Sequence, residues 1–435
     1  MDDTKPQLDQ GKGSFFKKRN IATILSILFA GLGQLYNGRI IKGILFIILK
    51  LSFIITLGEF INRGLWGLRT LGVVRGEDHS IFLIVEGLIA LLILVFAIVF
   101  YVYNVIDARK NAIRREQGEE NPTIRQTLKN TWDLGFPYLF VTPGLILLCF
   151  IVILPILFTV TLAFTDYSLN NSPPRHLLNW VGFSNFKNLI EMNLWKETFV
   201  SVFSWTIVWT VVATTLQVGL GLFLALLVND KRIKFKRTLR TLLILPWAVP
   251  SFVTILVFAA MFNGSFGAIN RDLLEPLFGV SFPWLTDPAY TKLALIMIQT
   301  WLGFPFVFAL FTGVLQSISS DWYEAADVDG GSRWQKFRFI TLPHVLFVTA
   351  PLLIMQYAGN FNNFNIIYLF NNGGPAVPGQ NAGGSDILIS WVYKITFTQN
   401  QYSMAAAITI ILGLIVCGFA FYQFRKTRSF KEEGR

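Results

Sequence analysis

Eight stretches of the chain, 40–58, 81–103, 137–165, 201–228, 241–262, 291–316, 346–370 and 403–424, are apolar and almost free of charge. Each is close to the ~20 residues that a helix needs to cross a bilayer. In hydrocarbon a backbone N–H or C=O finds no water, so such a segment must satisfy its own hydrogen bonds as a helix. This constraint fixes the fold class before any motif is read: an all-α polytopic membrane protein with about eight transmembrane helices. Only 14% of the residues are charged, against roughly a quarter in soluble domains. A nucleic-acid partner is therefore excluded despite a net charge of +11, because positive charge in such a chain is first a topology signal.

That signal is one-sided. With 104–136 inside, the segments 104–136, 229–240, 317–345 and 425–435 carry 20 Lys and Arg, and the segments 166–200, 263–290 and 371–402 carry 5. The expected protein is a multi-pass component of the cytoplasmic membrane with both termini in the cytoplasm. An even number of crossings must then precede 104–136. The apolar segment 21–36 is short and interrupted by Gly31 and Gly33, and Arg39 and Lys42 follow it. It is therefore not counted as a span. Residues 59–80 read as a loop bearing glycine and arginine, and 371–386 as a Gly/Pro/Asn loop outside. The expected organisation is an N-terminal extension at 1–136 with two extra spans and a connector, a six-helix transmembrane domain at 137–425, and a basic tail at 426–435. No A-x-A-like site follows a short apolar core, so no removable signal peptide is expected. Lys50 and Glu86 lie within the two early spans, and a packing ion pair between them is the expected reading. Cys149 and Cys417 read as small buried hydrophobes.

Between two of the core spans lies a polar island, Tyr323 to Pro343. Asp321 with Glu324 three residues on has the spacing of an N-cap and its reciprocal partner, and Ser332 with Gln335 repeats it. Gly330 and Gly331 supply a left-handed stop between them, and Pro343 marks the next break. The spacing predicts a helix over 321–329, a tight turn, and a helix over 332–341.

Within the island, Glu324, Ala325 and Ala326, then Gly330, then Ile340, Leu342 and Pro343 match EAA-x3-G-x9-I-x-LP. The island thereby resembles the cytoplasmic coupling loop of permease subunits of bacterial ABC importers. That likeness implies that Glu324, Ala325, Ala326, Gly330, Leu342 and Pro343 couple the chain to an ATPase subunit. FTDYSL at 164–169, WVGFSNFKNL at 180–189, LPWAVPSF at 245–252, QTWLGFPF at 299–306 and NFNNFNIIYLFNNGGP at 360–375 are similar to the permease of maltose/maltodextrin importers, the MalF type. The resemblance covers about 137–425. It departs at 166–200, which is short where enteric relatives carry a large insertion, and over 1–100. It implies as partners a second related permease, two ATP-binding cassette ATPase subunits, an extracellular solute-binding protein, an oligosaccharide and membrane lipid.

The core spans are nearly free of ionisable groups, which argues against a proton- or ion-coupled carrier. They hold aromatics and side-chain amides instead, a set suited to a neutral sugar, since an amide both donates and accepts. The alternative reading is that the amides are interhelical glue. Set on the resemblance, the candidate substrate contacts are Trp247, Gln299, Trp301, Gly303, Phe306, Asn360 and Asn363. Gly359 stands where relatives can carry an aromatic. No GxxxxGK[ST] phosphate loop is present, so the ATPase is expected on another polypeptide, and no metal, cofactor or catalytic residue is expected here. The expected function is a permease subunit importing a maltodextrin-like oligosaccharide. The alternatives are a permease for another neutral oligosaccharide and a secondary sugar transporter.

Overall fold

A computed structural model describes residues 17–119, 124–230 and 232–426. The expected tail at 426–435 lies, but for its first residue, outside them. The described chain is helical, with one isolated β-bridge at Ala376 and Gly383. It divides into two compact units, 1–161 with 170–180, and 162–169 with 181–435. Among the described residues seven helical runs are long and apolar enough to cross a membrane, and eight when one bent pair counts as a span.

In the first unit α1 (Lys18–Leu28) and α2 (Leu32–Tyr36) form a short hairpin, followed by α3 (Ile40–Thr70), α4 (Ser80–Glu116), α5 (Ile124–Leu148) and α6 (Leu154–Ala163). Eleven residues of α1 cover only about 16 Å, well short of a bilayer core of ~30 Å. The segment 21–36 therefore does not span. It is held on α4 by polar groups instead. Gln34, fully buried, donates from Nε2 to the Asn104 carbonyl at 2.9 Å and to Asp107 Oδ2 at 3.2 Å. Asn104 Oδ1 accepts the Gly31 N–H at 3.2 Å, and Asn37 Nδ2 donates to the Ala108 carbonyl at 2.8 Å. Lys42 closes the cluster on Asp107 at 2.7 Å.

Two expectations fail in this unit. Residues 59–70, read as a loop, continue α3. The glycines that suggested a loop face α4: a Cβ on Gly64 would stand 2.9 Å from the Glu86 carbonyl oxygen, and one on Gly67 2.8 Å from Leu83. They are contact residues of two closely packed helices. The same register overturns the Lys50–Glu86 pair. Glu86 lies opposite Gly64, fourteen residues or about 21 Å along α3 from Lys50. Glu86 meets Arg63 at 3.5 Å instead, and the Lys50 ammonium stands 3.9 Å above the Phe29 ring and 5.2 Å from that of Tyr101.

The second unit contains α7 (Ser184–Glu191), α8 (Asn193–Asn229), α9 (Lys236–Ala248), α10 (Ser251–Met261), α11 (Glu275–Phe278), α12 (Pro288–Ser317), α13 (Ser320–Val328), α14 (Arg333–Lys336), α15 (Leu342–Phe361), α16 (Phe364–Asn371), α17 (Leu388–Phe397) and α18 (Tyr402–Lys426). Its core is the pairing of α8 with α12. One layer packs Trp205 and Trp209 with Ile298, Ile366 and Ile367. Another packs Ala225 and Val228 with Phe304, Phe308, Phe311 and Val345. Ahead of α17, Asp386 is sealed in, accepting from Ser390 Oγ at 2.8 Å and pairing with Lys394 at 2.6 Å. Burial pushes its carboxyl above the ordinary range, and Lys394 works against that rise. Cys149 is buried as expected, but Cys417, on α18, is exposed.

Three wide turns with π-type hydrogen bonding, Cys149–Ile153, Ile269–Leu274 and Phe337–Thr341, precede Pro155, Pro276 and Pro343. A proline ring collides with the carbonyl four residues back, and here that residue lies inside the widened turn each time. This explains why Pro343, expected to break the helix, is carried through: 333–371 runs as one apolar span.

Candidate functional site

The buried face of α8 carries Thr206, Thr210, Thr214 and Gln217 at helical spacing. The Thr206 and Thr210 hydroxyls are satisfied one turn back on their own helix, by the carbonyls of Val202 and Thr206, both at 2.7 Å. Gln217 is fully buried and has no such option, so its amide must be met by other helices. Its Oε1 accepts from Gln299 Nε2 on α12 at 3.1 Å and from Asn360 Nδ2 on α15 at 3.4 Å, and its Nε2 donates to Gln356 Oε1 at 3.1 Å. Asn360 Nδ2 also reaches Thr214 Oγ1 at 2.8 Å, while its backbone carbonyl accepts from Trp209 Nε1 at 2.9 Å. From Gln299 the chain continues to Asn363, whose Nδ2 donates to Gln299 Oε1 at 3.0 Å. Five side-chain amides on three helices and the turn after α15 thus form one connected path.

The structure brings Gln299, Asn360 and Asn363 together, as the resemblance implied, and adds Gln217 and Gln356, which sequence reasoning missed. Thr206, Thr210, Thr214 and Gln217, polar residues at three- and four-residue spacing, were the available signal for Gln217. Gly303 belongs to the same arrangement for a steric reason: a Cβ there would come within 2.0 Å of Gln217 Oε1.

The aromatic candidates lie at the helix break. α9 and α10 meet at 86°, at Val249 and Pro250, between Ala248 and Ser251. Their elbow and Leu302 line a cavity of about 270 Å³ that includes Trp247. Trp247 packs edge-on against Phe306 at 5.8 Å and is 57% exposed. Phe306 is seven residues from Gln299, on the same face of α12. Trp301 is two residues from Gln299 and so faces elsewhere; it is 46% exposed and packs on Phe304 at 5.7 Å. One cation breaks the uncharged pattern: Lys292, near the start of α12, stands 4.8 Å over the Trp205 ring.

The polar island forms a helix–turn–helix. Ser319, not Asp321, caps α13, accepting the Asp321 N–H. A hydroxyl two residues earlier is the better-placed acceptor for the first turn. Ser332 and Gln335 form the expected capping box on α14. Gly330 has φ +73°, the left-handed stop that a side chain disfavours. The two arms are tied by Tyr323 Oη to Thr341 Oγ1 at 2.8 Å and by Lys336 to Asp327. Glu324 and Ala325 are exposed and Ala326 is half-buried. A groove of about 430 Å³ between the arms is lined by Trp322, Phe339, Ile340, Pro343, His344 and Phe347. Val328, Trp334 and Phe339 are 89%, 68% and 74% exposed. Large apolar side chains this open on a polar loop are the mark of an interaction surface.

Comparison with known proteins agrees with this architecture. Residues 217–429 match the family described as binding-protein-dependent transport system inner membrane component. The chain is 51% identical over 416 residues to the galactooligosaccharides transport system permease protein of Bacillus subtilis (strain 168), covering 95% of this chain and 99% of that one. It is 47% identical over 426 residues to the maltodextrin transport system permease protein of the same organism, covering 96% and 98%. The likeness to these relatives therefore takes in the N-terminal extension. Among solved structures, a bacterial ABC transporter involved in the import of the acidic polysaccharide alginate has the same fold, with TM-score 0.57 and 20% identity over 70% of this chain and 98% of that one. The chain, a multi-pass protein of the cytoplasmic membrane, belongs to the family of binding-protein-dependent transport system inner membrane components, the permease subunits of ABC importers.

Proposed function

We propose that this permease carries a neutral oligosaccharide of the maltodextrin type through the path marked by Gln299, Gly303, Asn360 and Asn363, with Trp247 and Phe306 as its aromatic walls and Trp301, which faces away from Gln299, outside them. The observation that carries this reading is the amide path itself: five side chains able to donate and accept, with no carboxylate among them, inside apolar spans. Sugar hydroxyls can replace amide partners one for one at small cost, because both donate and accept. A second reading, galactooligosaccharide, is favoured by the 51% identical relative. Uptake of labelled maltodextrin, competed by unlabelled galactooligosaccharide, decides between them: strong competition supports the second sugar, and none supports the first.

The working assembly is this chain, a second related permease, two ATPase subunits and an extracellular solute-binding protein. Both termini and the loop at 321–343 face the cytoplasm, and Glu324, Ala325, Ala326, Gly330, Leu342 and Pro343 dock in the ATPase. The division of labour is an extension at 1–136, the permease domain at 137–425 and a basic tail. Gly330→Leu is expected to leave the amount of membrane protein unchanged and to abolish sugar-stimulated ATP hydrolysis and uptake together, since a left-handed non-glycine residue costs about 1–2 kcal/mol at the docking turn. Normal hydrolysis and uptake in that variant would remove the coupling assignment.

A further inference from the structure

Lys50 is a cation inside a membrane-crossing helix with no carboxylate opposite it among the described residues. Asp107 is taken by Lys42, and Glu86 by Arg63. Its partners set its level. On α4 the apolar run closes at Tyr101 and Tyr103, ahead of Asp107, Arg109 and Lys110, and the Lys50 ammonium stands 5.2 Å from the Tyr101 ring, at the level where interfacial tyrosines collect.

From that level an apolar groove of about 770 Å³ runs along α3, α4 and α5, walled by residues such as Phe53, Phe96, Ala97 and Leu145. The other polar groups on its wall are already satisfied. Tyr101 Oη donates to the Ile27 carbonyl at 2.7 Å, and Thr142 Oγ1 to that of Tyr138 at 2.7 Å. The ammonium of Lys50, held only over ring faces, is the unspent donor at the groove's mouth. We propose that the groove is a binding site for an anionic phospholipid, one acyl chain lying along it and the headgroup phosphate paired with Lys50. The groove's apolar wall suits an acyl chain, and the Lys50 charge on its lining selects the headgroup.

The test is native mass spectrometry of the full-length chain, purified with its co-purifying subunits and exchanged into equimolar dioleoyl phosphatidylglycerol and dioleoyl phosphatidylcholine. The wild type is expected to retain the anionic lipid about fivefold over the zwitterionic one, the effect of one lysine at an anionic surface. Lys50→Gln should bring the two to parity and Lys50→Arg should keep the preference. Ala97→Phe, which fills the groove, should lower retention of both. Parity in the wild type, an undiminished preference in Lys50→Gln, or full retention in Ala97→Phe would each overturn the site. The comparison of the two lipids on the wild type needs no variant to fold, and none of these readings depends on which sugar is carried.

Discussion

Two clusters of buried amides do opposite things in this molecule. In the first unit Gln34, Asn37 and Asn104 bond mainly to backbone, and the charge pair beside them, Lys42 with Asp107, also takes a hydrogen bond from Gln34. Backbone partners do not move without unwinding a helix, so the cluster is a clamp that pins a segment too short to span. In the second unit Gln217, Gln299, Gln356, Asn360 and Asn363 bond mainly to one another, side chain to side chain, across α8, α12 and α15. Those bonds can be exchanged by rotating side chains alone. The same residue types thus give a fixed joint in one place and an exchangeable path in the other, and what separates them is the nature of the partner.

The comparison is broken most easily at Gln217. Gln217→Leu strands amide groups on Gln299, Asn360 and Gln356, each at about 1–3 kcal/mol when buried. Uptake of labelled oligosaccharide per amount of membrane protein is expected to fall on the order of a hundredfold. Gly303→Ala should reproduce much of that loss by pushing the same amide aside. A lower protein level with unchanged uptake per molecule would make this cluster a clamp as well. Gln34→Leu is the matched change in the first unit. It is expected to cost about 2 kcal/mol of stability, read as a lower midpoint in a thermal-stability assay of the purified protein, with the sugar KM unchanged. A shifted KM there would show that the clamp is part of the path.

The smallest effect sharpens the register of α3 on α4. A double-mutant cycle on Arg63 and Glu86 should give a coupling of about 0.5 kcal/mol, because the pair is partly exposed. The cycle on Lys50 and Glu86 should be additive. Coupling in the second cycle would reverse the assignment.

Much of this was legible in the sequence, for identifiable reasons. The eight crossings follow from hydropathy and length, and the failure of 21–36 to span follows from its length and the parity of charge. The left-handed Gly330 and the Ser332–Gln335 box are local signals that were read correctly, whereas Asp321 as a cap and Pro343 as a break were local signals misread. The other misses are non-local. Gly64 and Gly67 resemble loop residues until the facing helix is in view. The partner of Glu86 depends on the register of two antiparallel helices, which hydropathy does not encode. Gln217 is missed because its role exists only when α12 and α15 bring Gln299, Gln356 and Asn360 to it. Ser319 outcompetes Asp321 as a cap through geometry that spacing alone leaves open.

The central claim is that the amide path meets the sugar, and Asn363 is the member to test, because it ends the path and is only partly buried. Uptake of labelled oligosaccharide and binding-protein-stimulated ATP hydrolysis are measured on Asn363→Ala in the same vesicles. Loss of one or two hydrogen bonds to a neutral ligand predicts uptake lowered about tenfold, with hydrolysis and protein amount close to wild type. Uptake at the wild-type rate, or uptake, hydrolysis and protein amount falling together, would contradict the account.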